Sequence, residues 1–144
     1  MYCLDASVLV NSFMKKEKHH KASKELRERM KKEGTSAILP EIVLPEVSSA
    51  IARGTDDPHL ALEFVKNLRN IPNFIFIPID SEISNLATKF AAERKLKGVD
   101  SVYVAISYIF NVKLITLDKE QKEKSKDLID VLTPEEELNL GERR

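Results

Sequence analysis

Short apolar runs alternate along this chain with longer stretches whose apolar positions recur at helical spacing. Tyr2–Leu4 is apolar, Ser36–Leu39 stops at Pro40, and Phe74–Ile79 mixes aromatic and β-branched residues. Val112–Leu117 and Ile129–Leu132 read as two further strands. Between them, Lys18–Glu33 is a charged helix ending before Gly34, a C-terminal cap. Glu41–Arg53 carries Val43, Val47, Ala50 and Ile51 at helical intervals and is expected to stop at Gly54. Pro45 either marks its start or kinks it. Asp57 caps Pro58–Ile71, with the proline at the first helical position. Asp80 or Ser81 caps a helix running to Lys97, and Gly98 separates it from Val99–Phe110. Helix signals also follow Asp5 and Asp118, and Glu135–Arg144 reads as a short amphipathic helix with a frayed tail.

Strands separated by helices of this length imply βαβ units, hence a parallel sheet flanked by helices. No repeat, linker or compositional break divides residues 1–144, and 144 residues favour a single domain. Apolar residues make up 42% and charged residues 32%, the balance of a globular chain with one core. In such sheets reactive groups gather beyond the carboxyl ends of the strands.

Lys plus Arg and Asp plus Glu both number 23, so no global basic bias points to a nucleic-acid partner. Any such partner must be met by local charge. Cys3 stands alone, which excludes an internal disulfide and a cysteine-based zinc site and suits a reducing cytoplasm. No apolar run approaches the length needed to span a bilayer, and no leader is expected before Met-Tyr-Cys-Leu-Asp. Abundant Lys and Glu beside a single glutamine, Gln121, lean toward a thermophilic source.

Two aspartates close predicted strands: Asp5 after Tyr-Cys-Leu and Asp118 after Leu-Ile-Thr-Leu. Both carboxylates should emerge on one edge of the sheet. Asp80 also ends a strand, but it stands as an N-cap before Ser81 and Glu82. Glu46 and Asp100 sit in otherwise apolar helical faces, where a charge is costly unless it caps, pairs or binds metal. Each acid alone has an ordinary structural reading; the combination is what carries a function.

Leu4-Asp5-Ala6-Ser7-Val8-Leu9, Glu46-Val47-Ser48-Ser49-Ala50-Ile51-Ala52-Arg53, Asp100-Ser101-Val102-Tyr103-Val104-Ala105 and Thr116-Leu117-Asp118 follow in order. In order and approximate spacing the chain resembles the PIN-domain family, particularly its VapC-type toxins, over nearly its whole length. Glu41 is an extra acid, set aside because Val47, Ala50 and Arg53 follow Glu46 in the family's pattern. The resemblance implies a three-layer α/β/α sandwich with a central parallel sheet of about five strands. It implies an endoribonuclease, a homodimer, and the toxin of a toxin–antitoxin pair whose VapB-type antitoxin covers the acidic cleft. PIN nucleases of RNA processing or quality control, and a catalytically silent scaffold of the same fold, share these motifs.

Four converging carboxylates would repel one another, and hard oxygen ligands suit Mg²⁺, with Mn²⁺ as a substitute. Asp5, Asp100 and Asp118 are therefore assigned to metal, with Glu46 a further ligand or the orienter of the attacking water. Ser7 and Thr116 would hydrogen-bond these carboxylates. RNA would be met by local charge at Arg53, Arg94, Lys95 and Lys97, and along the Lys15–Lys32 segment. His19, His20 and His59 show no metal-ligand pattern and read as surface residues. A haloacid-dehalogenase-type phosphatase would want a second acid where Ser7 stands, and a receiver-like domain an acidic pair near the first strand end.

Overall fold

A computed structural model describes residues 1–142. The elements run β1 (Tyr2–Leu4), α1 (Ala6–Phe13), α2 (His20–Glu33), β2 (Ala37–Pro40), α3 (Val43–Thr55), α4 (Pro58–Arg69) and β3 (Phe74–Ile77). They continue with α5 (Ser81–Arg94), α6 (Gly98–Phe110), β4 (Lys113–Ile115), α7 (Lys119–Ser125), β5 (Val131–Leu132) and α8 (Pro134–Glu142). The expected C-terminal helix is thus present, whereas the fraying expected beyond it concerns Arg143 and Arg144, outside the described residues.

The five strands form one sheet in the order β3-β2-β1-β4-β5, every neighbouring pair parallel. The chain winds outward from β1 to β3, then crosses back over β1 to place β4 and β5 on the other side. Right-handed crossovers then set α1–α4 on one face and α5–α6 on the other. The packing agrees: α1 lies on α2 and α3, α3 on α4, and α5 on α6, while α6 also touches β1, β2 and β4. This is the expected α/β three-layer arrangement.

The core is built where the two faces meet the sheet. Cys3, Leu39, Leu114 and Ile115 from the strands are fully enclosed by Leu9, Leu26, Val43, Val47, Ile51, Tyr103 and Ile106 from the helices. Gly34 ends α2 at φ 67°, a conformation a side chain would strain. Burial pushes the Cys3 thiol up to about 12, so it behaves as a small core hydrophobe.

Several boundaries differ from the periodicity. The third helix does not stop at Gly54; it runs on to Thr55 and ends on Asp56 in the left-handed conformation, with Gly54 simply helical. Pro45 falls in the first turn of α3, where its missing N–H costs no intrahelical bond, so it starts the helix rather than kinking it. The fifth helix ends at Arg94, not Lys97, because Lys95 turns left-handed. Gly98 is the first residue of α6 rather than a spacer before it.

Candidate active site

The winding reverses between β1 and β4, the adjacent strands from which the chain departs in opposite directions. A crevice is expected beyond their carboxyl ends. Asp5 follows β1 directly and caps α1, its carboxylate accepting from the Ser7 N–H at 3.3 Å. The Asp5 N–H donates to the Ile115 carbonyl, which ties this cap to the end of β4. Asp118 lies three residues past β4 and caps α7, accepting from the Gln121 N–H at 3.1 Å. Both strand-end acids thus hold local turns, and the topology makes those turns neighbours.

Asp5 is 7% exposed, and every donor to its carboxylate among the described residues is neutral. The Ser7 hydroxyl donates to its Oδ2 at 2.6 Å, and the Thr116 hydroxyl lies 3.2 Å from the same oxygen. Ser7 Oγ in turn accepts from the Leu117 N–H, and Thr116 Oγ1 from the Asp118 N–H. The two hydroxyls therefore bridge the β1 and β4 turns through Asp5.

The other two acids arrive on helices. Asp100 occupies the first turn of α6 and receives no protein hydrogen bond to its carboxylate among the described residues. Glu46, in the first turn of α3, accepts from the buried Tyr103 hydroxyl at 2.6 Å on Oε1 alone. Burial raises all three of these acids, and their neighbours' charge adds to it. The Glu46 carboxyl is pushed up to about 7 by burial and then by Asp5 and Asp100. Asp100 is pushed up to about 6 by burial, Asp118 and Asp5, with Lys97 partly opposing. Asp5 is raised by burial and by Asp118, against the Ser7 and Thr116 hydrogen bonds. The charge of Asp118 acts on Asp5 and Asp100, those two act on Glu46, and no salt bridge among the described residues touches any of the four.

Among the described residues, no three His, Cys, Asp or Glu side chains close into a ready-made metal cage. The chemistry of the donor set still fits a hard cation. It offers carboxylate oxygens only, and several of them, including Asp5 Oδ1, Glu46 Oε2 and the Asp100 pair, have no donor among the described residues. Such a cation would retain waters between itself and part of the ligand set, as Mg²⁺ commonly does.

Other sequence candidates fall into place around this cluster. The Glu41 carboxylate is clasped by both Arg69 guanidinium nitrogens, at 2.8 and 3.2 Å, so its charge is answered where that of Glu46 is not. Asp80 caps α5 by accepting from the Ile83 N–H, beyond the edge strand β3 and two strands away from β1. Lys97 stands just before α6, close enough for its charge to act on Asp100 and Glu120. Arg94 is bound to Asp127, and Lys95 is exposed at the end of α5. Arg53 is exposed in the last turn of α3, about 10 Å of helix rise from Glu46. His19 and His59 are exposed, and the half-buried His20 ring bonds the Asn11 carbonyl at 2.8 Å.

Two participants were all but silent in the sequence. Tyr103 looks like one more core aromatic until its hydroxyl is seen on Glu46. Gln121 sits in the charged run Lys-Glu-Gln-Lys, yet it is fully buried. Its Oε1 accepts from Thr116 at 2.8 Å and its Nε2 donates to the Asp100 carbonyl at 3.3 Å. A lone glutamine in a surface-like helix was the only available hint.

A family model described as PIN domain matches residues 2–127. The chain belongs to the PIN-domain family. Among solved structures, the chain is similar to a toxin–antitoxin complex from Klebsiella pneumoniae at 19% identity, TM-score 0.68, covering 93% of this chain and 98% of that one. It is similar to VapC20 of Mycobacterium tuberculosis, described as a sarcin-ricin loop cleaving toxin, at 15% identity and TM-score 0.74, covering 85% and 94%. DNA-bound VapBC from Salmonella typhimurium matches at 17% identity and TM-score 0.70, covering 92% and 97%. At these identities the likeness is one of fold. No curated protein matches the chain.

A well-formed cavity of this PIN domain lies apart from the acidic cluster. A groove of about 620 Å³ lies among α1, α2 and α4, lined chiefly by Phe13, Met30, Phe64, Leu68, Ile71 and Phe74. It is apolar and none of the four acids lines it, so it suits packing rather than the hydrolysis of a charged backbone. No described helix is long and apolar enough to cross a membrane.

Proposed function

We propose that this PIN-domain protein is a Mg²⁺-dependent endoribonuclease that hydrolyses RNA phosphodiester bonds, acting in the cytoplasm as the toxin of a VapBC-type pair. The observation that carries this reading is the set of acids at the β1/β4 reversal: Asp5, Glu46 and Asp100 are raised by burial and by neighbouring carboxylates, and among the described residues no basic side chain is bonded to them. Buried unpaired charge of one sign is costly, and folds retain it where a ligand of opposite charge repays the cost.

Asp5, Asp100 and Asp118 would hold the cation, with Mn²⁺ as an alternative, and Glu46 would complete the set or orient the attacking water. Bound there, a divalent ion supplies Lewis acidity to the scissile phosphate and lowers the pKa of a water. The chain's own residues do the rest. Ser7 and Thr116 fix the Asp5 carboxylate, and Tyr103 holds one Glu46 oxygen so that the other remains available. At neutral pH the Glu46 carboxyl, pushed up to about 7, is poised to take a proton. Lys97, beside Asp100, is the lysine best placed to meet the RNA backbone, with Arg53, Arg94 and Lys95 contributing further out.

The partner in this reading is a small antitoxin, and the apolar groove among α1, α2 and α4 offers it packing area outside the acids. Self-association into a homodimer would draw on Leu60 and Leu62 of α4, which are exposed, whereas Leu68 is core. The test is RNA cleavage together with thermal unfolding, in Mg²⁺ and in EDTA. Mg²⁺ is expected to support cleavage and to raise the unfolding temperature of the wild type, through binding to the folded state alone. The Asp5→Asn/Asp118→Asn variant is expected to lose both responses. An equal thermal response in the two proteins would refute a shared cation site.

A further inference from the structure

We propose that Gln121 is a positioning residue that holds the Asp100 helix turn and the Asp5–Thr116 pair in one arrangement competent for divalent-cation binding. This inference rests on the cation-dependent reading above and concerns a residue outside the four-acid set.

Gln121 lies in the first turn of α7, a seven-residue helix whose other residues are charged apart from the buried Ser125. Its own side chain has no exposed surface. An apolar residue would fill such a place at lower cost, because a buried primary amide must recover its lost water contacts through hydrogen bonds. Both contacts that the amide makes lead to the acids. Its Nε2 reaches the carbonyl of Asp100 at 3.3 Å, across from α7 to the first turn of α6. Its Oε1 accepts from Thr116, whose oxygen also lies 3.2 Å from Asp5 and accepts the Asp118 N–H. The Gln121 backbone N–H meanwhile caps onto Asp118 Oδ1. One residue therefore bonds directly to Asp100 and Asp118, and to Asp5 through one hydroxyl.

The orientation of the amide follows from its neighbours. The Asp100 carbonyl can only accept, so the nitrogen must face it, and the oxygen then faces Thr116. The Thr116 hydroxyl has one hydrogen and two acceptors within reach, Gln121 Oε1 at 2.8 Å and Asp5 Oδ2 at 3.2 Å. The hydroxyl hydrogen is therefore shared between the two, and the amide anchors from behind the hydroxyl that meets Asp5. The contact to Asp100 is the second effect, since α6 carries Asp100 while α7 follows Asp118, and among the described residues this amide is the side-chain hydrogen bond that joins the two first turns. Without the amide, the first turn of α6 is free to move relative to the β4–α7 turn, and the like-charged acids push in that direction.

The experiment compares wild type, Gln121→Met and Gln121→Leu as intact chains, both variants keeping the buried volume approximately. Mn²⁺ affinity is measured by electron paramagnetic resonance of the free ion, and unfolding temperature is measured separately in EDTA. Loss of a partner behind the ligands is expected to weaken Mn²⁺ binding about tenfold or more. The unfolding temperature in EDTA should stay close to wild type, because the apolar replacements remain buried. Combining Gln121→Met with Thr116→Val should weaken Mn²⁺ binding by less than the product of the two single effects, since the two side chains act through one bond. Mn²⁺ affinity within twofold of wild type in both single variants would overturn the proposal. So would a collapse of the unfolding temperature in both, which marks Gln121 as a folding residue. A wild type that binds no Mn²⁺ removes the cation reading itself, and this proposal with it.

Discussion

The same two strands carry a buried carboxylate environment at each end, and the two are built on opposite principles. At the amino end, Glu137 of α8 is 4% exposed and fully answered. It accepts from the Tyr2 hydroxyl at 2.8 Å and from Lys113 at 3.1 and 3.3 Å, with Arg29 at 3.8 Å. Tyr2 and Lys113 open β1 and β4, so this cluster clamps α8 and α2 across the sheet. At the carboxyl end of those strands, Asp5 is almost as buried but is met only by hydroxyls and an amide, with further acids beside it. The first arrangement neutralises charge internally and serves the fold. The second leaves it open, which lowers stability; in the function proposed above an external cation answers it. Burial alone therefore does not mark a functional acid; the missing counter-charge does.

The largest expected effect sharpens this contrast. Asp100→Asn keeps the shape and removes one charge from the unanswered cluster, and RNA cleavage is expected to fall by orders of magnitude. Asp80→Asn changes the same group at an N-cap, where asparagine serves almost as well, and should leave cleavage nearly intact. Circular dichroism checks that both fold, and equal loss of activity would break the distinction between the two strand-end acids.

Glu137→Gln tests the opposite end. It leaves Lys113 and Arg29 without their carboxylate, and since both are partly solvated the expected cost is about 2 kcal/mol. Denaturant unfolding measures that loss, while cleavage per folded molecule should stay at the wild-type level. A next, smaller step is Tyr103→Phe, which removes one hydrogen bond from Glu46 and should reduce cleavage about tenfold or less. Because that hydrogen bond lowers the Glu46 carboxyl, its loss should move the acidic limb of the pH–rate profile upward.

The smallest effect is in the pH dependence of the metal-free fold. Glu46 and Asp100 bind protons more tightly when folded than their ordinary values of 4.5 and 3.8 allow, titrating at about 7 and about 6. Their protonated forms favour the folded state, so this stability is fully present below the ordinary values and is lost as pH rises through about 6 to 7. In EDTA the unfolding temperature should therefore fall between pH 5 and 8 by a few degrees, less steeply in Glu46→Gln. A saturating divalent cation should flatten the curve, whereas Glu137→Gln should leave its shape unchanged.

Much of this was legible locally. An apolar run ending in aspartate, followed by a helix signal, placed Asp5 and Asp118 past strand ends, because alternation and capping act over a few residues. Asp57, Asp80 and Gly34 could be read as caps for the same reason. Helix ends were less legible at Gly54 and Lys97, where left-handed turns at Asp56 and Lys95 set the boundary instead.

What the chain order alone determined, then, is the set of elements, the parallel sheet and the pairs of acids that must follow strands. Which charges stay unanswered was decided only by tertiary contact. Glu41 and Glu46 lie five residues apart, yet Arg69 from the end of α4 neutralises one and no described residue neutralises the other. Three glutamates stand together at Glu135–Glu137, and only the docking of α8 selects Glu137 for burial. Gln121 sits in a run that reads as solvent-facing until β4 is laid beside β1 and α6 closes over the turn. Periodicity reports which way a side chain points from its own element. Its charge, its partner and its chemistry depend on elements brought from dozens of residues away.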